Sequence, residues 1–110
     1  MRKAAIYYKD LLAGILTETD EGEYLFQYKE KYIKEYPKQF ITFTIPVSAK
    51  TYTNQRLFPF FEGLIPEGWL LAIASKNWKI NPNDRMGLLL ACCQNCIGAV
   101  SVQPLSNEDE

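Results

Sequence analysis

The sequence predicts an α+β fold in which a small antiparallel sheet from the first half packs with two to three helices from the second. Three observations predict it. Apolar residues alternate with polar ones in the first half, as in Tyr24, Phe26, Tyr28 and again in Ile41, Phe43, Ile45, the period of a half-buried strand. Turn-forming clusters, Lys9-Asp10 and Asp20-Glu21-Gly22, punctuate those runs. Met86, Leu89, Leu90 and Cys93 recur at i, i+3, i+4 and i+7, which places them on one face of a helix.

Taken in order, Ala4 to Tyr8 is a short apolar strand followed by a tight turn at Lys9-Asp10. Leu11 to Thr19 is the second strand, and Gly14 within it signals a bulge or a close approach. The Asp20-Glu21-Gly22 turn returns the chain into Tyr24–Tyr28, which completes a three-stranded meander. Lys29 to Tyr36 forms a short helix or an irregular connection before Pro37. Ile41 to Ile45 carries a strand signal stopped by Pro46, and Val47 to Arg56 has no periodicity and reads as loop. The tyrosines of this half either close the sheet edge, ring inward and hydroxyl outward, or stack on a ligand. The lack of interleaved basic residues favours the first.

Phe58 to Trp69 is the hinge between the halves. Phe61, Leu64 and Ile65 anchor it and Pro66 opens a helix running to about Asn77. On a wheel of about 100° per residue, Leu70, Leu71, Ile73, Ala74 and Trp78 share one side. Trp69 points roughly 130° away from that cluster, beside Lys76 and Ala72. It either meets a partner or is covered by its own chain. Asn81 reads as the cap of the next helix, with Pro82 at its first position and Asp84 as a first-turn acid. Ala99 to Gln103 is a final strand returning to the sheet and ended by Pro104. Residues 1–104 form one domain, and 105–110 an acidic flexible tail.

Composition narrows the function. A net charge of −1 over 110 residues lacks the basic excess of a nucleic-acid or anionic-membrane binder. No stretch approaches the length of a membrane span or a signal peptide. With no histidine, the chain has no His-based acid–base machinery and no His-ligated metal site. The three cysteines fall within Cys92 to Cys96 and give no disulfide framework, which fits a reducing cytoplasm. Cys93 and Cys96 have the spacing of a zinc or dithiol motif, but no fourth ligand is available and the motif closes a helix instead of opening one. Cys93 already fits the buried helix face. Glu62 and Glu67 are a nominal acid–base pair, yet Glu67 is explained as a first-turn acid on a helix dipole. No phosphate-binding loop is present. The chain reads as a non-enzyme without cofactor or metal.

Phe61-Glu62-Gly63-Leu64-Ile65-Pro66-Glu67-Gly68 resembles the F-x-N-L-L-P-[DE]-G signature of the N-terminal subdomain of HipA-type toxin kinases. Leu88-Leu89-Leu90-Ala91 and Asn95-Cys96-Ile97-Gly98-Ala99-Val100 are similar to its closing pattern. Gly14-Ile15-Leu16 with Phe26-Gln27-Tyr28, and Phe43-Thr44-Ile45-Pro46, are similar to its opening strands. The order is kept along nearly the whole chain. Gly63, Asn95 and Cys93 depart from residues common in the family, and an arginine frequent after the P-[DE]-G motif is missing near Leu71 and Ile73.

The resemblance implies a HipS-like protein that binds and restrains a separately encoded HipA-type (HipT-like) serine/threonine kinase. A HipB-like DNA-binding protein is the further partner it implies, and the chain itself contacts no nucleic acid and no membrane. The alternative is a subunit that completes and activates the kinase. Trp69, with Glu67, Gly68, Lys76 and Glu62 around it, is the expected partner-binding set.

Overall fold

A computed structural model describes residues 2–65, 83–92 and 99–105 of the chain. Strands β1 (Arg2–Tyr8), β2 (Leu11–Glu18) and β3 (Tyr24–Tyr28) form the expected meander. Helix α1 (Glu30–Glu35), strand β4 (Tyr52–Asn54), helix α2 (Pro59–Glu62), helix α3 (Arg85–Cys92) and strand β5 (Val100–Leu105) follow. The sheet has five antiparallel strands in the order β4-β3-β2-β1-β5. The fold is α+β, as the sequence predicts.

Local chemistry explains the meander. Lys9 and Asp10 both take positive φ, 50° and 67°, the left-handed pair that a two-residue hairpin needs to match strand twist. Gly22, at φ 86°, serves the second turn. Ile6 pairs with Gly14 but Tyr7 pairs with Leu12, so Ala13 is the extra residue of a bulge. The bulge leaves the Ala13 carbonyl to accept the Lys29 N–H at 2.8 Å, which fixes the start of α1. Gly14 also answers a close approach: a Cβ there would lie 2.5 Å from the Gln27 carbonyl oxygen and 2.7 Å from the Phe26 ring.

One row across the sheet runs Tyr52, Phe26, Leu16, Ala4, Pro104. The next includes Tyr28, Gly14, Ile6 and Val102. From these rows Phe26, Leu16, Ala4, Tyr28, Ile6 and Val102 share one buried cluster with Phe61, Met86, Leu88 and Leu89, and the half-buried Tyr52 packs against it. Phe61 is fully buried, with ring centroids 5.8 Å from Phe26, 6.0 Å from Phe58 and 5.2 Å from Phe60. Phe61, Ile65 and the half-buried Leu64 thus anchor the hinge as expected.

Four expectations are corrected. Ile41 to Ile45 is a turn, not a strand: Thr42 and Ile45 form an isolated bridge and the Ile45 N–H donates to the Thr42 carbonyl at 3.0 Å. Its alternation is met by two buried isoleucines, Ile41 and Ile45, flanking an exposed Phe43. The Tyr28 hydroxyl holds both ends, donating to the Ile45 carbonyl and accepting the Ile41 N–H. Val47 to Arg56, read as loop, contains β4, whose three residues are too few to show a period. The α3 cap is Asp84, not Asn81: its Oδ1 accepts the Gly87 N–H at 3.1 Å and its carbonyl accepts the Leu88 N–H. Pro104 lies within β5, tolerated because that strand is an edge.

Tyr24, Tyr28, Tyr32 and Tyr52 take a structural role, but their hydroxyls bond the protein's own groups instead of pointing outward as expected. Tyr28 and Tyr32 stack at 5.8 Å with planes 12° apart, and both rings are buried. Burial pushes Tyr28 up to about 12, so its hydroxyl keeps its proton at neutral pH. The helix expected from Pro66 to Asn77, the Cys93–Cys96 pair and residues 106–110 of the expected tail lie outside the described residues, while Leu105, counted with that tail, belongs to β5.

Candidate partner-binding surface

α2 and the start of α3 meet at the end of the sheet where β3 begins. α2 has Pro59 at its first turn, where the missing N–H costs nothing. With Phe61 turned into the core, Glu62 is left at the surface beside α3. Its carboxylate accepts from Arg85 Nε, at 2.6 Å to Oε1 and 3.1 Å to Oε2. Both side chains keep about a third or more of their surface exposed, so the pair orients the two helices more than it stabilises them.

A second polar chain crosses from the sheet to α3. The Tyr24 hydroxyl donates to Glu18 Oε2 at 2.9 Å, and Glu18 Oε1 accepts from Arg2 Nε at 2.7 Å. Arg2 then forks onto Asp84, Nη1 to Oδ2 at 3.0 Å and Nη2 to Oδ1 at 2.6 Å. Three strands are thereby tied to the cap of α3 by a bidentate arginine–carboxylate contact. Burial, then the Glu18 hydrogen bond, pushes Tyr24 up to about 12. The Arg2 hydrogen bonds hold the Asp84 carboxyl below the usual aspartate range, with help from the Gly87 N–H and against a desolvation effect.

The Asp84 shift sets a pH dependence. A carboxylate whose folded pKa is depressed stabilises the fold above its unfolded pKa, and that contribution is lost as pH falls through the folded value. Asp84→Asn is expected to cost about 1 kcal/mol at pH 7, a figure kept small by solvent screening. The gap from the wild type should close below about pH 4, as thermal melts of both proteins between pH 7 and pH 2 would show. A gap that stays constant with pH would rule the linkage out.

Between these ties lies an open cleft of about 480 Å³ lined by Tyr24, Gln55, Arg56, Leu57, Glu62 and Arg85, with Gly22 at its rim. Of the five residues expected to bind a partner, the structure describes Glu62 and places it in this cleft, paired to Arg85. Trp69, Glu67, Gly68 and Lys76 lie outside the described residues. Sequence reasoning missed Arg56 and Arg85 as cleft residues; neither belongs to a motif, and only the fold brings them beside Glu62. Among the described residues, no group of three acidic or cysteine side chains is placed to hold a metal ion. No helix among them is long and apolar enough to cross a membrane.

Comparison with known proteins agrees with this architecture. The family model described as the HipA N-terminal domain matches residues 4–103. An uncharacterised protein of Haemophilus influenzae is 28% identical over 103 residues, covering 94% of this chain and 92% of its own length. Among solved structures, one described as the N-terminal domain of HipA toxin superposes with a TM-score of 0.73 at 23% identity. It covers 97% of this chain and 95% of that one, a likeness of fold.

Proposed function

Since the chain belongs to the HipA N-terminal domain family, we propose that it is a non-catalytic component of a toxin–antitoxin system. In this reading it binds and restrains a separately encoded HipA-type serine/threonine kinase in the cytoplasm, with a HipB-like DNA-binding protein as third member. The observation that carries the reading is the family match, which takes up residues 4–103 of the 110. The kinase activity associated with such domains would then be supplied by other sequence. The hinge motif supports a recognition role: Phe61 is locked in the core and Glu62 is paired to α3, which gives the segment that leads to Trp69 a fixed starting point.

Co-expression tests the sign of the effect. A restraining partner relieves growth arrest caused by the kinase, whereas a subunit that completes and activates it deepens the arrest. Trp69 tests the surface. Trp69→Ala is expected to weaken kinase binding by about 2 kcal/mol or more, the loss typical of a hot-spot tryptophan, while the melting temperature barely changes. Calorimetric titration together with a thermal melt reads both. An unfolded variant that binds normally per folded molecule makes Trp69 a core residue and removes it from the interface.

A further inference from the structure

The segment from Pro37 to Val47 lies at the opposite end of β3 from the Glu62–Arg85 cleft. Tyr28, the last residue of β3, holds it, while Tyr24, the first, lines the cleft. Three large apolar side chains stand exposed among the described residues, Leu12, Phe40 and Phe43. Two of them are in this segment, and Phe43 is 80% exposed. Phe40 and Phe43 adjoin Pro37, Pro46 and Val47, and a contiguous exposed apolar patch, unlike a single exposed ring, marks an interaction site.

The tip that carries Phe43 is fastened at several points. Besides the two bonds to the Tyr28 hydroxyl, the Tyr32 hydroxyl donates to the Gln39 carbonyl and the Tyr52 hydroxyl to the Pro46 carbonyl at 2.7 Å. Three tyrosines from three elements therefore fix the backbone on both sides of one exposed ring, so little ordering entropy remains to be lost on docking. Beside the ring is a groove of about 340 Å³ walled by Pro37, Lys38, Phe40, Phe43, Pro46 and Val47. Lys38 lines the groove, and the stretch of chain that contains it is basic: residues 29–50 expose Lys29, Lys31, Lys34, Lys38 and Lys50 against Glu30, which pairs with Lys34 at 3.8 Å, and Glu35, on a chain of net charge −1.

We propose that this loop is a second protein-docking surface, in which Phe43 and its groove engage an apolar patch rimmed by carboxylates. The occupant is an acidic face of the kinase, an identity that rests on the function proposed above; the surface itself is additional to the Trp69 side. Charge complementarity supplies the sign of the partner. The concave groove favours a protein side chain over a lipid surface, which offers no single group to fill it.

The test uses the whole chain and the purified, separately encoded kinase. Phe43→Ser should weaken binding about tenfold or more and leave the melting temperature within about 2 °C, since the side chain is exposed. Phe43→Leu should retain most of the affinity. Lys34→Glu with Lys38→Glu should weaken binding about threefold at low salt, with the loss shrinking as salt rises. Wild-type affinity in Phe43→Ser overturns the inference alone and leaves Trp69 and the kinase reading standing. No binding by the folded wild-type chain removes both. Uptake by phosphatidylserine vesicles that disappears in Phe43→Ser, with kinase affinity unchanged, makes the loop a membrane contact and also overturns the proposal.

Discussion

Phe61→Ala should destabilise the domain by about 4 kcal/mol, the range for removing a fully buried phenylalanine ring. Phe61 is expected to be this sensitive because its ring joins the sheet to the hinge segment. It meets Phe26 in the sheet and, on its own segment, Phe58 and Phe60. The cavity left behind is bounded by a strand on one side, so the site cannot simply collapse. Urea denaturation with an unchanged m-value would read the loss directly. A cost under about 1.5 kcal/mol would mean that the aromatic cluster repacks and that the hinge is not fixed by this ring. Since a small domain has only about 5–15 kcal/mol in total, the variant should also melt well below the wild type.

The second large effect is expected from one oxygen atom. Tyr28→Phe should cost about 3 kcal/mol, because two buried backbone groups lose their partner together. The Ile41 N–H and the Ile45 carbonyl both end at the Tyr28 hydroxyl. The ring itself is retained, so its stacking on Tyr32 and its edge contact with Phe26 survive. The loss should therefore be local in origin: hydrogen exchange at Ile41 should accelerate far more than at Leu16 in β2. Equal acceleration at both sites would show that the hydroxyl supports the whole sheet and not the loop. A neutral result would mean that water replaces the hydroxyl at both groups. If Phe43 docks as proposed, Tyr28→Phe should also weaken kinase binding although it touches no partner.

The meander was legible because its signals are local. Period-two burial at Tyr24, Phe26 and Tyr28, a turn at Lys9-Asp10 and a glycine at position 14 each declare themselves within a few residues. Ile41 to Ile45 misled for the same reason. Its alternation is real, with both isoleucines buried, but a distant tyrosine decides whether the segment extends or folds back, and no window around position 43 contains it. β4 was missed because three residues carry no period, and its place depends on pairing with Tyr24–Phe26. Asn81 and Asp84 are both good cap residues. Arg2, some eighty positions away in sequence, holds Asp84 in place. The candidate site follows the same division: the hinge motif carrying Glu62 could be read directly, whereas Arg56 and Arg85 became part of a cleft only through the fold.

The pairing of β1 with β5 bears on how the protein is made. β1 takes as its outer partner a strand that follows it by about a hundred positions in sequence, with Lys3 opposite Leu105. Until Val100–Leu105 emerges, the meander can form but the outer edge of β1 stays open, with Ala4, Ala5 and Ile6 bordering unpaired N–H and carbonyl groups. Such an edge is a template for wrong pairing between nascent chains, and closing it demands a contact between segments about a hundred residues apart, a slow step. A chain that stalls before Val100 therefore leaves the Ala4–Ile6 edge of β1 open to such pairing.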